Sequence, residues 1–164
     1  MKLDRIDIAI LAILQEDGRI TNKALADRVG LSARPCLERV RKLRAAGYIR
    51  RFAAVLEPAK FGSPLTVFAQ ISLISQERRS HERLEQHIKR IDEAVECFEV
   101  SGDIDFLVRF ICPTLEAYYR LTEDLLANER LGIRRIDSII VLRTVTAYRG
   151  LPASLLSGFG LSNA

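Results

Sequence analysis

The sequence has little of what catalysis usually recruits. It carries two histidines, His81 and His87, and three cysteines, Cys36, Cys97 and Cys112, in 164 residues. An odd number of widely spaced cysteines offers neither a disulfide framework nor a CxxC metal pair, so each reads as a small core residue. The histidines are six apart on an expected helix, on opposite faces, the wrong geometry for shared ligation. There is no glycine-rich phosphate loop and no nucleophile elbow. These absences argue against an enzyme, a metal centre or a cofactor. No stretch approaches the roughly 20 apolar residues of a membrane span. The opening MKLDRIDIAIL places aspartates where a signal peptide carries basic residues, so a cytoplasmic protein without membrane contact is expected.

What is present is the composition of a soluble globular protein, 48% hydrophobic and 28% charged, long enough for one or two small domains. Its charge is uneven. Residues 1–60 hold 13 Lys and Arg against 7 Asp and Glu, whereas residues 61–164 hold 12 against 14. A polyanion-binding surface therefore belongs to the N-terminal third, and the acidic balance of the remainder argues against a second nucleic-acid surface there.

Within that third, Ala24–Ile49 reads as two helices joined by a turn. Leu25, Ala26 and Val29 form the inner stripe of the first, Gly30 breaks it, and Ser32 is placed to cap the second. Pro35 falls in the first turn, where a missing N–H is harmless. An earlier helix starts at Asp4 with Asp7 closing a capping box, buries Ile10, Leu11 and Leu14, and ends at Asp17-Gly18; Thr21 caps the next. At about 100° per residue, Cys36, Val40 and Leu43 share one face of the helix over 33–46, and Arg34, Glu38 and Arg41 the opposite one, with Lys42 beside them. From Arg28 to Arg51 there are eight basic residues and one acidic, Glu38. A helix-turn-helix whose second helix presents this charge is built to meet duplex DNA. The alternative is a solvated basic face laced by pairs such as Arg34–Glu38 or Glu38–Lys42.

The segment Tyr48–Leu56 is expected to be extended, packed beside the three helices or paired with another chain. EPAKFGSP over 57–64 is a linker. Beyond it the pattern predicts strand 66–74, helix 80–91, strand 95–100, a turn at Ser101-Gly102-Asp103, strand 104–111, a helix from Pro113-Thr114 to about Ala127 and a strand over 136–148. This β-α-β-β-α-β order is a ferredoxin-like arrangement. The expected architecture is thus α+β: a helix-turn-helix domain over 1–56, the linker 57–64, a ferredoxin-like domain over 65–150 and an unassigned tail over 151–164. Both phases of strands 104–111 and 136–145 are apolar, so both sheet faces should be buried, the second by a dimer packed sheet to sheet. The turn Ser101–Asp105 could take the head of an amino acid, its glycine exposing N–H groups and its carboxylates accepting an ammonium. It could equally be a plain β-turn.

Several of these stretches carry a resemblance: LDRID, DGRITNKALADRVGLS, PCLERVRKL with AAGYI, and VSGDIDFL with Pro113 and Ala117-Tyr118. They resemble the Lrp/AsnC (feast/famine) transcription regulators from Leu3 to about Pro152. The resemblance implies a winged-type helix-turn-helix on double-stranded DNA, a homodimer assembling to an octamer as a tetramer of dimers, and an amino-acid effector held between C-terminal domains. By the same resemblance Ser32, Arg34, Pro35, Glu38, Arg39 and Lys42 would contact DNA, with Arg28, Arg41, Arg50 and Arg51 added from the charge pattern. Gly102, Asp103 and Asp105 would line the effector pocket, and Glu99, Leu115, Ile139, Ile140 and Val141 would tune the response. Two positions depart from the family. Arg51 stands where many members have glycine, and Glu99 stands where leucine-responsive members are apolar, which argues against leucine and leaves open a polar or basic amino acid, or no effector. The function expected is sequence-specific regulation of amino-acid metabolism. The rivals are an architectural DNA-compacting protein, and a small-molecule binder with a vestigial DNA-binding head.

Overall fold

The computed structural model describes residues 1–161. In order, the elements are α1 (Arg5–Glu16), α2 (Asn22–Val29), α3 (Ala33–Ala45), β1 (Leu65–Leu73), α4 (Arg78–Ile88), β2 (Ala94–Glu99), β3 (Phe106–Cys112), α5 (Leu115–Ala127), a 3-10 turn (Glu129–Leu131), β4 (Ile133–Ile140) and α6 (Ala153–Leu161). They form two compact units, Met1–Val55 with the chain from Thr146 onward, and Leu56–Val145.

The first unit is organised by α1 to α3. Ile10, Leu25, Ala26, Cys36 and Leu43 form its buried core, with Leu11, Leu14 and Val40 packed at the edge. The expected capping box is in place: Asp4 Oδ1 accepts from the Asp7 N–H at 2.8 Å, and Asp7 Oδ2 from the Asp4 N–H at 3.1 Å. Asp7 is only 4% exposed, and a carboxylate so buried requires a cation. Arg39, on α3, supplies it: its Nη1 donates to Asp4 Oδ2 at 2.6 Å and to Asp7 Oδ1 at 2.8 Å. Burial pushes the Asp4 carboxyl up, but the Asp7 N–H and the Arg39 guanidinium outweigh this and hold it below its ordinary value of 3.8.

The tail left unassigned by the sequence becomes α6, which packs on α1 with Leu156 buried; residues 162–164 lie outside the described residues. Gln15 fastens the approach to it, donating from Nε2 to the Leu151 carbonyl at 2.9 Å and accepting the Leu151 N–H at 2.7 Å. Tyr48–Leu56 forms no strand. Instead the Phe52 ring lies under the Arg44 guanidinium, 5.9 Å away, so the segment is held by a side chain and not by a ladder.

The second unit is a four-stranded antiparallel sheet in the order β2-β3-β1-β4, the ferredoxin-like pattern. Val67, Ala69, Ile71, Phe106, Val108 and Phe110 point to the helix-bearing side and meet Leu84 and Ile88 of α4 and Tyr118 and Leu125 of α5. Tyr118 is buried with its hydroxyl 2.6 Å from Ser138 Oγ, and burial pushes its phenol up.

Two expectations are corrected here, the extent of the last strand and the burial of Cys97. The last strand stops at Ile140 and does not reach Tyr148, because its partner β1 runs out: Val67 pairs with Ile140, the Val141 N–H reaches the Thr66 carbonyl, and no ladder lies beyond. Leu142, Val145 and Tyr148 are consequently exposed. The second face of the sheet, the one expected to be covered by another copy, is open in the single chain: Phe98 and Ile139 are 49% and 50% exposed and Phe68, Leu107 and Ile111 half-buried. Cys97 is exposed on edge strand β2, unlike the buried Cys36 and Cys112, because β2 has a neighbour on one side only.

Removing Arg39 leaves Asp7 buried without its cation. Arg39→Ala should lower the unfolding free energy by about 2 kcal/mol in urea titrations at pH 7. Because the folded Asp4 carboxyl lies below 3.8, its contribution is complete above that value and is lost as pH falls through the folded one. The difference between wild type and variant should therefore narrow in acid.

Candidate functional site

The turn between α2 and α3 sets the recognition helix. Gly30 adopts φ 69°, ψ 34°, the left-handed region open to glycine, and the Leu31 N–H closes onto the Ala26 carbonyl at 2.9 Å. Asn22 Nδ2 donates to the Ala33 carbonyl at 2.7 Å, tying the start of α2 to the start of α3. Ser32 occupies the N-cap with φ −76°, but its hydroxyl makes no capping bond and remains at the exposed entrance of the helix.

The phasing of α3 is as expected. Cys36 and Leu43 are fully buried, while Arg34, Pro35, Glu38, Arg41 and Lys42 are exposed. Arg41 Nη1 lies 2.8 Å from Glu38 Oε1, so the one acidic residue on this face is engaged at i,i+3 and not by Arg34 or Lys42. Among the described residues Arg28, Arg34, Lys42, Arg50 and Arg51 are exposed and enter no ion pair. Unneutralised cations on one helix face and its flanks form an electrostatic footprint for a polyanion. Arg39 stands apart, because both its carboxylate partners lie on the first turn of α1 and its cap. Leu37, missed in the sequence pattern, is 37% exposed among these charges. Its position one residue from Glu38 and three from Arg34 was the available signal.

The residues expected to bind an effector do not assemble within one chain. Glu99 ends β2, and Gly102, Asp103 and Asp105 follow in the turn to β3. Leu115 follows the far end of β3, while Ile139, Ile140 and Val141 lie where β4 passes the start of β1. Seven-residue β3 separates the groups by about 20 Å. Gly102 has φ 121° with open space where a Cβ would point, so its backbone conformation is what glycine serves. Asp105 is already engaged by neighbouring protein groups. Its Oδ2 accepts the Leu73 N–H at 2.6 Å, its Oδ1 accepts from Gln76 Nε2 at 2.9 Å, and His81 Nε2 lies 3.5 Å away. It anchors the turn to the end of β1, with the Ser72 hydroxyl donating to the Asp103 carbonyl at 3.3 Å. Gly102, Asp103 and Glu99 remain exposed at that end of the sheet.

Two grooves, about 520 and 550 Å³, lie against α4, and neither contains an expected effector residue. Among the described residues no group of three or more His, Cys, Asp or Glu could hold a metal ion, and no helix is long and apolar enough to cross a membrane.

Comparison with known proteins accounts for both units. Residues 3–50 match the family described as winged helix-turn-helix DNA-binding, and residues 66–151 the Lrp/AsnC ligand binding domain. The chain is 41% identical over 145 residues to the transcriptional regulatory protein DoeX of Halomonas elongata, covering 88% of this chain and 91% of that protein. It is 43% identical over 143 residues to the leucine-responsive regulatory protein of Escherichia coli K12, covering 87% of each. The structure of transcriptional regulator NMB0573 of Neisseria meningitidis in complex with L-Met superposes with a TM-score of 0.85 at 32% identity, over 94% of this chain and 99% of that one. These relatives regulate transcription and are not enzymes. With both of its units matched in order, the chain belongs to the Lrp/AsnC family and is a DNA-binding transcriptional regulator with a ligand-binding domain.

Proposed function

We propose that this protein is a cytoplasmic, sequence-specific regulator of amino-acid metabolism, acting as a homo-oligomer whose DNA binding responds to an amino acid held between C-terminal domains. The observation that carries the DNA half is the exposed face of α3, where Arg34 and Lys42 have no internal counter-ion. In a major groove Arg34 and Lys42 favour guanine and Glu38 accepts from cytosine, while Leu37 suits the methyl group of thymine. Ser32 and Pro35 border the same face, and the exposed Arg28, Arg41, Arg50 and Arg51 would hold phosphates. Arg39 acts by positioning: through Asp4 and Asp7 it holds α3 against α1.

The effector half is supported by the matched ligand-binding domain and by the L-Met bound to the Neisseria protein. Because the two groups of expected residues lie at opposite ends of one sheet, a site containing both requires a second chain. Glu99, Gly102 and Asp103 from one copy would then face Leu115 and Ile139, Ile140 and Val141 from another, with Asp105 shaping the turn. An amino acid there shifts DNA binding only if it prefers one assembly over another. The open face bearing Phe68, Phe98, Leu107 and Ile139 fits a two-fold sheet-to-sheet dimer, the unit from which an octamer of four dimers would be built.

Arg34→Ala with Lys42→Ala should reduce the ratio of specific to non-specific affinity at 100 mM salt by about tenfold or more, measured by fluorescence anisotropy. An architectural, backbone-only binder would instead show little ratio in the wild type, and a vestigial head would leave binding unchanged in the variant. Calorimetric titration with the twenty amino acids should find a polar or basic effector, and Glu99→Leu should move the preference toward leucine or methionine. If the wild type binds leucine and neither lysine nor arginine, the assignment of Glu99 fails. Ile139→Asp should shift the protein to monomer in light scattering, since a charge would be buried in the dimer face.

A further inference from the structure

One surface of the ligand-binding unit belongs to neither site. Along α4, Arg79, Arg83 and His87 follow at i, i+4 and i+8, and Arg90 continues the row just past the helix. The 3-10 turn adds Arg130, with Asn128 beside it, and together they line a groove of about 550 Å³ floored by buried Leu131. The row from Arg79 to His87 rises about 12 Å. All four arginines are exposed, and among the described residues none enters an ion pair. Glu82, the one carboxylate lining this groove, pairs with Arg78 at 2.7 Å, and Glu85 of the same helix pairs with Lys89. Arg83 Nη2 donates to Ser80 Oγ at 3.0 Å, leaving the rest of its fork to solvent.

Neighbouring guanidinia without counter-charge repel one another. Such a row is relieved by an anion that is itself extended. Enclosure would favour a small ligand, since small-molecule sites bury most of their occupant. This groove is open along its length and lined by cationic side chains, the charge that a phosphate backbone needs. We infer that α4 and the 3-10 turn form a second contact for the phosphate backbone of duplex DNA, separate from α3. The acidic balance of residues 61–164 conceals it, because charge summed over a domain carries no information about position. The inference rests on the chain's membership of a DNA-binding family and not on the proposed base reading by α3.

The test compares two duplexes, one limited to the specific site and one extended by flanking DNA on both sides, titrated with the full chain between 50 and 200 mM salt. The wild type should show a steeper salt dependence on the long duplex. Arg79→Ala, Arg83→Ala and Arg130→Ala combined should remove most of that excess, lowering the log–log slope by about 2 to 3 and weakening long-duplex binding about tenfold, with short-duplex binding unchanged. The same three positions changed to lysine should retain most of the excess, because a phosphate contact needs charge more than a fork. Equal behaviour of wild type and alanine variant on the long duplex, or an equal loss on both duplexes, would overturn the inference. So would a variant that loses thermal protection by inorganic tripolyphosphate while binding both duplexes normally, which would make the groove a small-anion site. Loss of short-duplex binding in the Arg34 and Lys42 variant concerns α3 alone and leaves this outcome independent.

Discussion

Much of the DNA-binding unit depends on one buried carboxylate. Asp7 closes the cap of α1 and is withdrawn from water, so it must be matched by charge, and the matching guanidinium comes from the middle of α3. The bond therefore sets how α3 lies against α1. Apolar packing of Ile10, Cys36 and Leu43 brings the helices together, but such contacts are non-directional. Two hydrogen bonds from a single Nη1, at 2.6 and 2.8 Å, fix where along α1 the recognition helix must lie. An arginine on a basic helix is thus engaged by the carboxylates of another helix.

The ligand-binding unit follows a different logic. Its helix-covered face is complete, with alternate residues of β1 and β3 fully buried, while the other face exposes aromatic and branched side chains that a solitary chain has no means of covering. Its candidate effector residues are likewise divided between the two ends of the sheet. The open face follows from both helices packing on the other side, and the division from strand direction. In an antiparallel sheet, chain direction reverses at every strand, so residues that follow one another by a single strand length are sent to opposite ends.

Local signals made most of this legible. Asp4, Asp7, Thr21 and Gly30 mark helix ends by side-chain and backbone chemistry acting over three or four residues, and the 3.6-residue period of Cys36, Val40 and Leu43 gave the orientation of α3. What the pattern could not reveal depended on distant partners. The end of β4 is decided by the start of β1, about seventy residues earlier, and the role of Arg39 by carboxylates on another helix. The hold on Asp105 was hidden in the same way, because the Leu73 N–H and Gln76 amide that bond it lie about thirty residues earlier in the chain. The row on α4 was hidden for a related reason, since Arg130 joins it only through the fold.

The clasp between Gln15 and Leu151 bears on the order in which the molecule is made. Residues from both ends of the sequence build the head, and the ligand-binding unit is inserted between them. During synthesis α1, α2 and α3 emerge first, but the surface of α1 that receives α6 stays uncovered until the whole ligand-binding unit has been made. A nascent chain therefore acquires its sensing half before its DNA-binding half is finished. A chain truncated before Leu151 would carry every recognition residue on a head whose first helix is left open on one side.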